Sequence, residues 1–194
     1  MGRLVVQQFV TIDGFAANLD NEFTAYQLVD GRTDEFDRSQ VEWLGTVEAM
    51  VLGANTYRMF AGYWPTPEAA GEIIAAPLNA LRRHVFSRTL SHAPWGDLPA
   101  ATLESGDPVA AIRRIKDEAE GNVVLWGSLS LSRVFFAAGE VDEVRLLVLP
   151  VVLGAGRGVF PVGTEPTVLD LQGARTYDGV LVELRYAQRP AQEW

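Results

Sequence analysis

Apolar runs alternate along this chain with helically spaced mixed segments, and that rhythm sets the expected order of elements. Residues 4–12 read as a first strand ending at the turn signal Asp13-Gly14. Residues 15–34 are polar and irregular, the expected long loop. Residues 34–45 have helical spacing, with Phe36, Val41 and Leu44 on one side. Residues 49–52 form a short apolar strand ending at Gly53, and Asn55 is expected to cap a short helix through Phe60. Residues 62–75, with Tyr63-Trp64-Pro65, read as a second loop, and Val85-Phe86 as a strand stub ending at Ser87. Asp107 is an N-cap signal with Pro108 at the first position of a helix running to Ala119. The run 123–126 stops at Gly127-Ser128 and gives way to a helical pattern over 129–138, closed by Gly139. Residues 144–149 end at Pro150 before a loop with glycines at 154, 156 and 158. Residues 168–171 and 180–187, joined across Tyr177-Asp178-Gly179, read as a closing antiparallel pair.

Strands alternating with helices predict an α/β fold: a mostly parallel central sheet, helices on both faces and a C-terminal antiparallel hairpin. In such sheets ligands bind beyond the carboxyl ends of the strands. Four turns are expected there: Asp13-Gly14, residues 53–56, Ser87-Arg88-Thr89 and Gly127-Ser128. A strand feeding Gly127-Ser128 at a helix start presents free N–H groups and the positive end of a helix dipole, a seat for a phosphate. The same two residues equally suit an ordinary strand-to-helix turn. Gly53 and Gly127 either let a phosphate approach the main chain or are plain turn glycines. Thr56 either donates to a phosphate oxygen or bonds its own helix.

Composition narrows the field. With 194 residues, 48% of them hydrophobic, the chain is expected to be one domain over 1–194. No apolar run approaches the ~20 residues of a membrane span. The N-terminus enters a strand pattern without a signal-peptide cleavage site, so a cytoplasmic location is expected. The absence of cysteine excludes disulfides and thiolate chemistry, and two histidines, His84 and His92, give no basis for a metal centre. A net charge of −9 argues against a nucleic-acid partner. An anionic small molecule would have to be held locally, by backbone amides and a few arginines.

Several stretches, taken in order, resemble the dihydrofolate reductase-like superfamily, in particular the branch of the reductase domain of the riboflavin-pathway deaminase–reductase. They are Thr11-Ile12-Asp13-Gly14; Leu52-Gly53-Ala54-Asn55-Thr56-Tyr57 followed by Tyr63-Trp64-Pro65; Val85-Phe86-Ser87-Arg88-Thr89; and Gly127-Ser128. Further on come Gly139-Glu140-Val141-Asp142-Glu143-Val144 and Pro150-Val151-Val152-Leu153-Gly154-Ala155-Gly156. The likeness covers roughly residues 3 to 187 and implies a three-layer dihydrofolate reductase-like fold with a nicotinamide dinucleotide as cofactor, NADPH or else NADH. It implies that Trp126, Gly127, Ser128, Leu129 and Ser130 lie against the pyrophosphate, with Gly53, Asn55 and Thr56 opening a second helix toward phosphate. Ser87, Arg88 and Thr89 would hold the adenosine end, and Ile12, Asp13 and Gly14 would flank the nicotinamide. Where the family usually has arginine after the glycine this chain has Ala54, which leaves Arg88 and Arg58 to recognise a 2′-phosphate. Arg88 is also consistent with a solvated surface charge.

In folate reductases a carboxylate on the helix before the second strand binds the pterin. Asp37 occupies the corresponding helix and is the candidate catalytic residue, with Asp34 and Asp30 as neighbours of similar claim. All three also suit the N-terminal end of an exposed helix. Asp13 more naturally shapes its turn by bonding backbone amides. Phe15, Phe23, Tyr26, Tyr63 and Trp64 either stack on a flat heterocycle or pack between loops or subunits. Trp43 and Trp126 are expected in the core. The resemblance further implies a small-molecule substrate, pterin-like, aminopyrimidine-like or carbonyl, and a homodimer, with residues 144–149 and the Pro161 region as a candidate pairing edge. A protein that binds the dinucleotide without turning it over is the alternative from a different class.

Overall fold

The computed structural model describes residues 1–23, 25–29, 34–163 and 166–189; Asp30 lies outside the described residues. Strand β1 (Leu4–Thr11) runs through the middle of an eight-stranded sheet, and its two faces set the layers on either side. Side chains of a strand alternate between faces. Leu4, Val6 and Val10 therefore join one apolar core with Ile112, Ile115 and Phe135. Phe9 points the other way and meets Phe36 edge-on at 5.8 Å.

After β1 the chain forms β2 (Phe15–Ala17), α1 (Asp34–Leu44), β3 (Val47–Gly53), α2 (Ala54–Ala61), α3 (Ala75–Ala80) and β4 (Arg82–Phe86). It continues through β5 (Thr102–Glu104), α4 (Pro108–Glu118), β6 (Asn122–Trp126), α5 (Leu129–Ala137) and β7 (Glu143–Leu149). β8 (Arg157–Gly158), β9 (Leu169–Tyr177) and β10 (Leu181–Gln188) follow. The sheet order is β5-β4-β3-β6-β1-β7-β10-β9. Pairings from β5 to β7 are parallel, and β10 runs antiparallel to both β7 and β9. β2 and β8 form a separate antiparallel pair. The α/β sheet with its C-terminal hairpin is thus as the alternation implied.

Phe135 of α5 and Ile112 and Ile115 of α4 cover one face. Tyr57 of α2, Leu78 of α3 and Leu44 of α1 cover the other, around the fully buried Trp95. Helix α4 starts where the sequence put it: Asp107 accepts the Val109 N–H at 3.0 Å and Pro108 fills the first turn. Gly139, at φ 70°, follows α5 in a conformation that glycine adopts without strain.

Other expectations need correction. Helix α2 begins at Ala54 with Gly53 as its cap residue, so Asn55 is not the cap. Its side-chain oxygen instead accepts from Arg58 Nη1 at 3.0 Å, within the first turns of the helix. The segment expected to be one long loop contains β2 and a 3-10 turn, Ala25–Leu28. Helix α3 and strand β5 were not foreseen, being six and three residues long, too short to display a period. Residues 144–149 form no edge for pairing: β7 is bonded to β1 on one side and β10 on the other.

Between β7, β10 and α1 lies a buried ionic group. Arg145 Nε donates to Glu183 Oε1 at 2.6 Å, and the Tyr177 hydroxyl donates to Glu183 Oε2 at 2.6 Å. The Arg145 guanidinium stacks 3.9 Å from the Trp43 ring centroid. Burial lowers the Arg145 pKa, opposed by the Glu183 carboxylate, while burial and then the bond to Glu183 raise that of Tyr177. Among the described residues no helix is long and apolar enough to cross a membrane.

Candidate functional site

The carboxyl ends of β3, β4 and β6 open into one cavity of about 1190 Å³. Pockets for one small molecule measure about 300–1,000 Å³, so this one has room for a cofactor and a substrate together.

Two strand-to-helix turns form its floor, β3 into α2 and β6 into α5, and they interlock. A Cβ at Gly53 would collide with the Ser128 side chain, and a Cβ at Gly127 (φ 62°) with the Thr56 side chain. The Ser128 N–H also donates to Thr56 Oγ1 at 3.2 Å. The space freed by each glycine is therefore filled by the opposite turn, a packing role that sequence alone did not reveal. Ser128 itself is left-handed, at φ 37° and ψ 66°, a costly conformation for a residue with a Cβ. Neither helix receives a side-chain cap at its N-terminus. The first-turn residues Ala54, Asn55, Thr56, Leu129 and Ser130 all line the cavity. Two helix starts, each with N–H groups in want of partners, thus meet in one concavity.

Ser87 and Arg88 line the same cavity from the end of β4. The Ser87 hydroxyl accepts from the N–H groups of Thr89 (3.2 Å) and Leu90 (3.1 Å), fixing the turn that holds Arg88 exposed. Thr89 is not among the lining residues, nor is Arg58, which is engaged with Asn55. Arg133 of α5 and Arg157 of β8 add two lining cations that the sequence reading missed. Arg133 Nη2 donates to the Gly158 carbonyl at 3.3 Å.

The fourth turn stands apart: Ile12, Asp13 and Gly14 do not line the cavity. Ile12 is exposed. The Asp13 carboxylate accepts from the Thr11 hydroxyl (2.5 Å) and from the N–H groups of Leu153 (3.1 Å) and Gly154 (2.7 Å). The Thr11 bond first, then the Gly154 amide, holds its pKa below the ordinary aspartate value. Asp13 does bond backbone amides, but those of the loop after β7. What β1 contributes to the cavity is Gln7, Gln8 and Phe9.

Helix α1 supplies Asp37 and Gln40 to the wall, whereas Asp34 is exposed and outside it. Gln7 and Gln8, on opposite faces of β1, brace the end of β6. Trp126 Nε1 donates to Gln7 Oε1 at 2.5 Å, Gln7 Nε2 donates to Gln40 Oε1 at 3.1 Å, and Gln8 Nε2 donates to the Gly127 carbonyl. These three glutamines were missed as well. The available signal was two adjacent glutamines inside an otherwise apolar strand. Trp126 is half-buried, packs edge-on against Trp43 at 6.5 Å, and also lines the cavity. Phe23, Tyr63 and Trp64 line it too, whereas Phe15 does not. The Tyr63 hydroxyl donates to the Glu72 carboxylate. The side chain of Tyr26 lies outside the description. His84 is buried against Glu104 at 2.9 Å, and His92 is exposed; neither lines the cavity.

Comparison with known proteins gives this geometry a context. Residues 3–182 match the family model described as the RibD C-terminal domain. Over 187 residues, 95% of this chain and 94% of the relative, the sequence is 25% identical to YyaP, an uncharacterized protein of Bacillus subtilis (strain 168). Among solved structures, a candidate riboflavin biosynthesis protein of Shewanella sp. PV-4 superimposes with a TM-score of 0.73 at 18% identity, covering 97% of this chain and 99% of that one. A dihydrofolate reductase of Enterococcus faecalis, solved with NADP(H), gives a TM-score of 0.64 at 12% identity over 97% of this chain and 98% of that one. At such identities the structures speak for the fold, which is dihydrofolate reductase-like.

Proposed function

Because the chain belongs to the RibD C-terminal domain family, we propose that it is a reductase using a nicotinamide dinucleotide, NADPH in preference to NADH. Its substrate in this reading is a small heterocycle of pterin or aminopyrimidine type, or a small carbonyl compound. One observation carries the reading: two helix N-termini without side-chain caps share a cavity with Arg88 at the carboxyl ends of parallel strands. Such N-termini suit a pyrophosphate, and a guanidinium suits a 2′-phosphate. Fit is further supported by the volume and by the lining Arg133 and Arg157, two more guanidiniums in a cavity that also carries Glu22, Asp37 and Glu72.

In this reading Thr56 and Ser130 and the first-turn amides of α2 and α5 hold the diphosphate, and Arg88 meets the 2′-phosphate. A reduced nicotinamide, when bound, supplies the hydride. Phe60, Trp64 and Trp126 wall the space against water and hold a flat acceptor. Asp37 accepts from an N–H of the substrate and relays a proton drawn from water to the acceptor nitrogen or oxygen. The resident form is a cytoplasmic homodimer, formed through a surface other than β7.

Calorimetric titration with NADPH and, separately, NADH tests the reading. Tighter binding of NADPH, with that preference reduced roughly tenfold by Arg88→Ala, is the expected result. Failure of a folded sample to bind either cofactor overturns it.

A further inference from the structure

Gln40 is an odd residue to find in the cavity wall. It is 5% exposed, and its Nε2 has no hydrogen-bond partner among the described residues. A buried amide nitrogen in that state costs about 1–3 kcal/mol, so a group that satisfies it gains by doing so.

The direction of this amide is fixed by its neighbours. An indole nitrogen can only donate. The Trp126 Nε1–H at 2.5 Å therefore sets Gln7 with Oε1 toward Trp126. Gln7 must then offer Nε2, again only a donor, to Gln40 at 3.1 Å. Gln40 receives it on Oε1, which leaves Nε2 as its remaining polar atom. One residue without acceptor capacity thereby orients two amides in succession. Turning Gln40 over would oppose two N–H groups.

We propose that Gln40 determines substrate specificity, donating from Nε2 to a carbonyl oxygen at the edge of a planar substrate. Gln7 and Trp126 are its positioning residues. Asp37 lies three residues earlier on α1 and lines the same cavity, one helical turn away. At neighbouring positions of one helix, a carboxylate that accepts and an amide that donates are complementary to a ring edge carrying an N–H next to a carbonyl. The inference rests on the reductase reading for what occupies the cavity, and on the hydrogen-bond directions for what Gln40 selects.

The test uses two matched probes, 2-amino-4-oxopteridine and 2,4-diaminopteridine, titrated into the protein saturated with NADPH. The wild type is expected to favour the oxo compound at least roughly tenfold, the scale set by an unmatched buried polar group. In Gln40→Met, which keeps the bulk and loses the amide, that ratio falls to within about threefold of unity. NADPH affinity stays where it was. Trp126→Phe removes the indole donor, frees both amides to turn, and lowers the ratio while the probes still bind. An equal or absent response of the wild type to the two probes, or a ratio that survives Gln40→Met, overturns the inference while leaving the reductase reading intact. Loss of NADPH binding by the folded wild type is a different failure, that of the reductase reading itself.

Discussion

Asp13 shows how a residue can be read correctly for its chemistry while its partners stay hidden. A carboxylate before a turn glycine was expected to bond backbone amides, and it does so. Those amides belong to residues 153 and 154, so the group ties the end of β1 to a loop 140 residues on. No local pattern encodes that partner. The Gln7–Gln40 contact, separated by 33 residues, was hidden for the same reason. Arg88 and Thr56 were legible because each sits within a strand-turn unit that is local in sequence. The Asp13 pKa is depressed in the folded state, first by the Thr11 bond and then by the Gly154 amide. Its stabilising effect is therefore present above about pH 4 and is lost as pH falls through the lowered value. Denaturation midpoints of the wild type and Asp13→Asn should differ at pH 7 and draw together as the pH drops below about 4. A gap that is constant with pH would contradict the role assigned to these bonds.

At the scale of elements, legibility followed length and punctuation. Helix α4 announced itself through Asp107-Pro108, whereas α3 and β5 are too short to carry a period, and β2 is three residues long. The turns after β3 and β6 were located from sequence, but not their mutual packing. That packing makes a quantitative prediction. Gly53 has an ordinary φ of −81°, so Gly53→Ala is opposed only by the Ser128 side chain. The single substitution should cost about 1–3 kcal/mol in chemical denaturation. Ser128→Gly removes the obstructing atoms and relieves the left-handed serine. In that background Gly53→Ala should cost well under half as much, a coupling that a double-mutant cycle reads directly. Additive effects would mean that the two turns do not contend for the same space.

Across the whole molecule, two helical layers are held to one sheet by cores that alternate along each strand, and a buried ionic group fastens the hairpin side. Glu183 joins Arg145 of β7 and Tyr177 of β9, and Arg145 in turn stacks on Trp43 of α1. Glu183→Ala leaves a guanidinium buried without its counter-charge and should destabilise the protein by about 3–5 kcal/mol. A loss below about 1 kcal/mol in thermal or chemical unfolding, the range of an exposed pair, would show that water reaches Arg145 freely. The interlocked turns bring the two layers into contact, α2 belonging to one face and α5 to the other. There the room for side chains is shared between opposing residues, 53 with 128 and 56 with 127. Descent must respect that sharing. A lineage that acquires a side chain at 53 has to surrender one at 128, so these positions should drift as couples through the family, each substitution waiting on its counterpart.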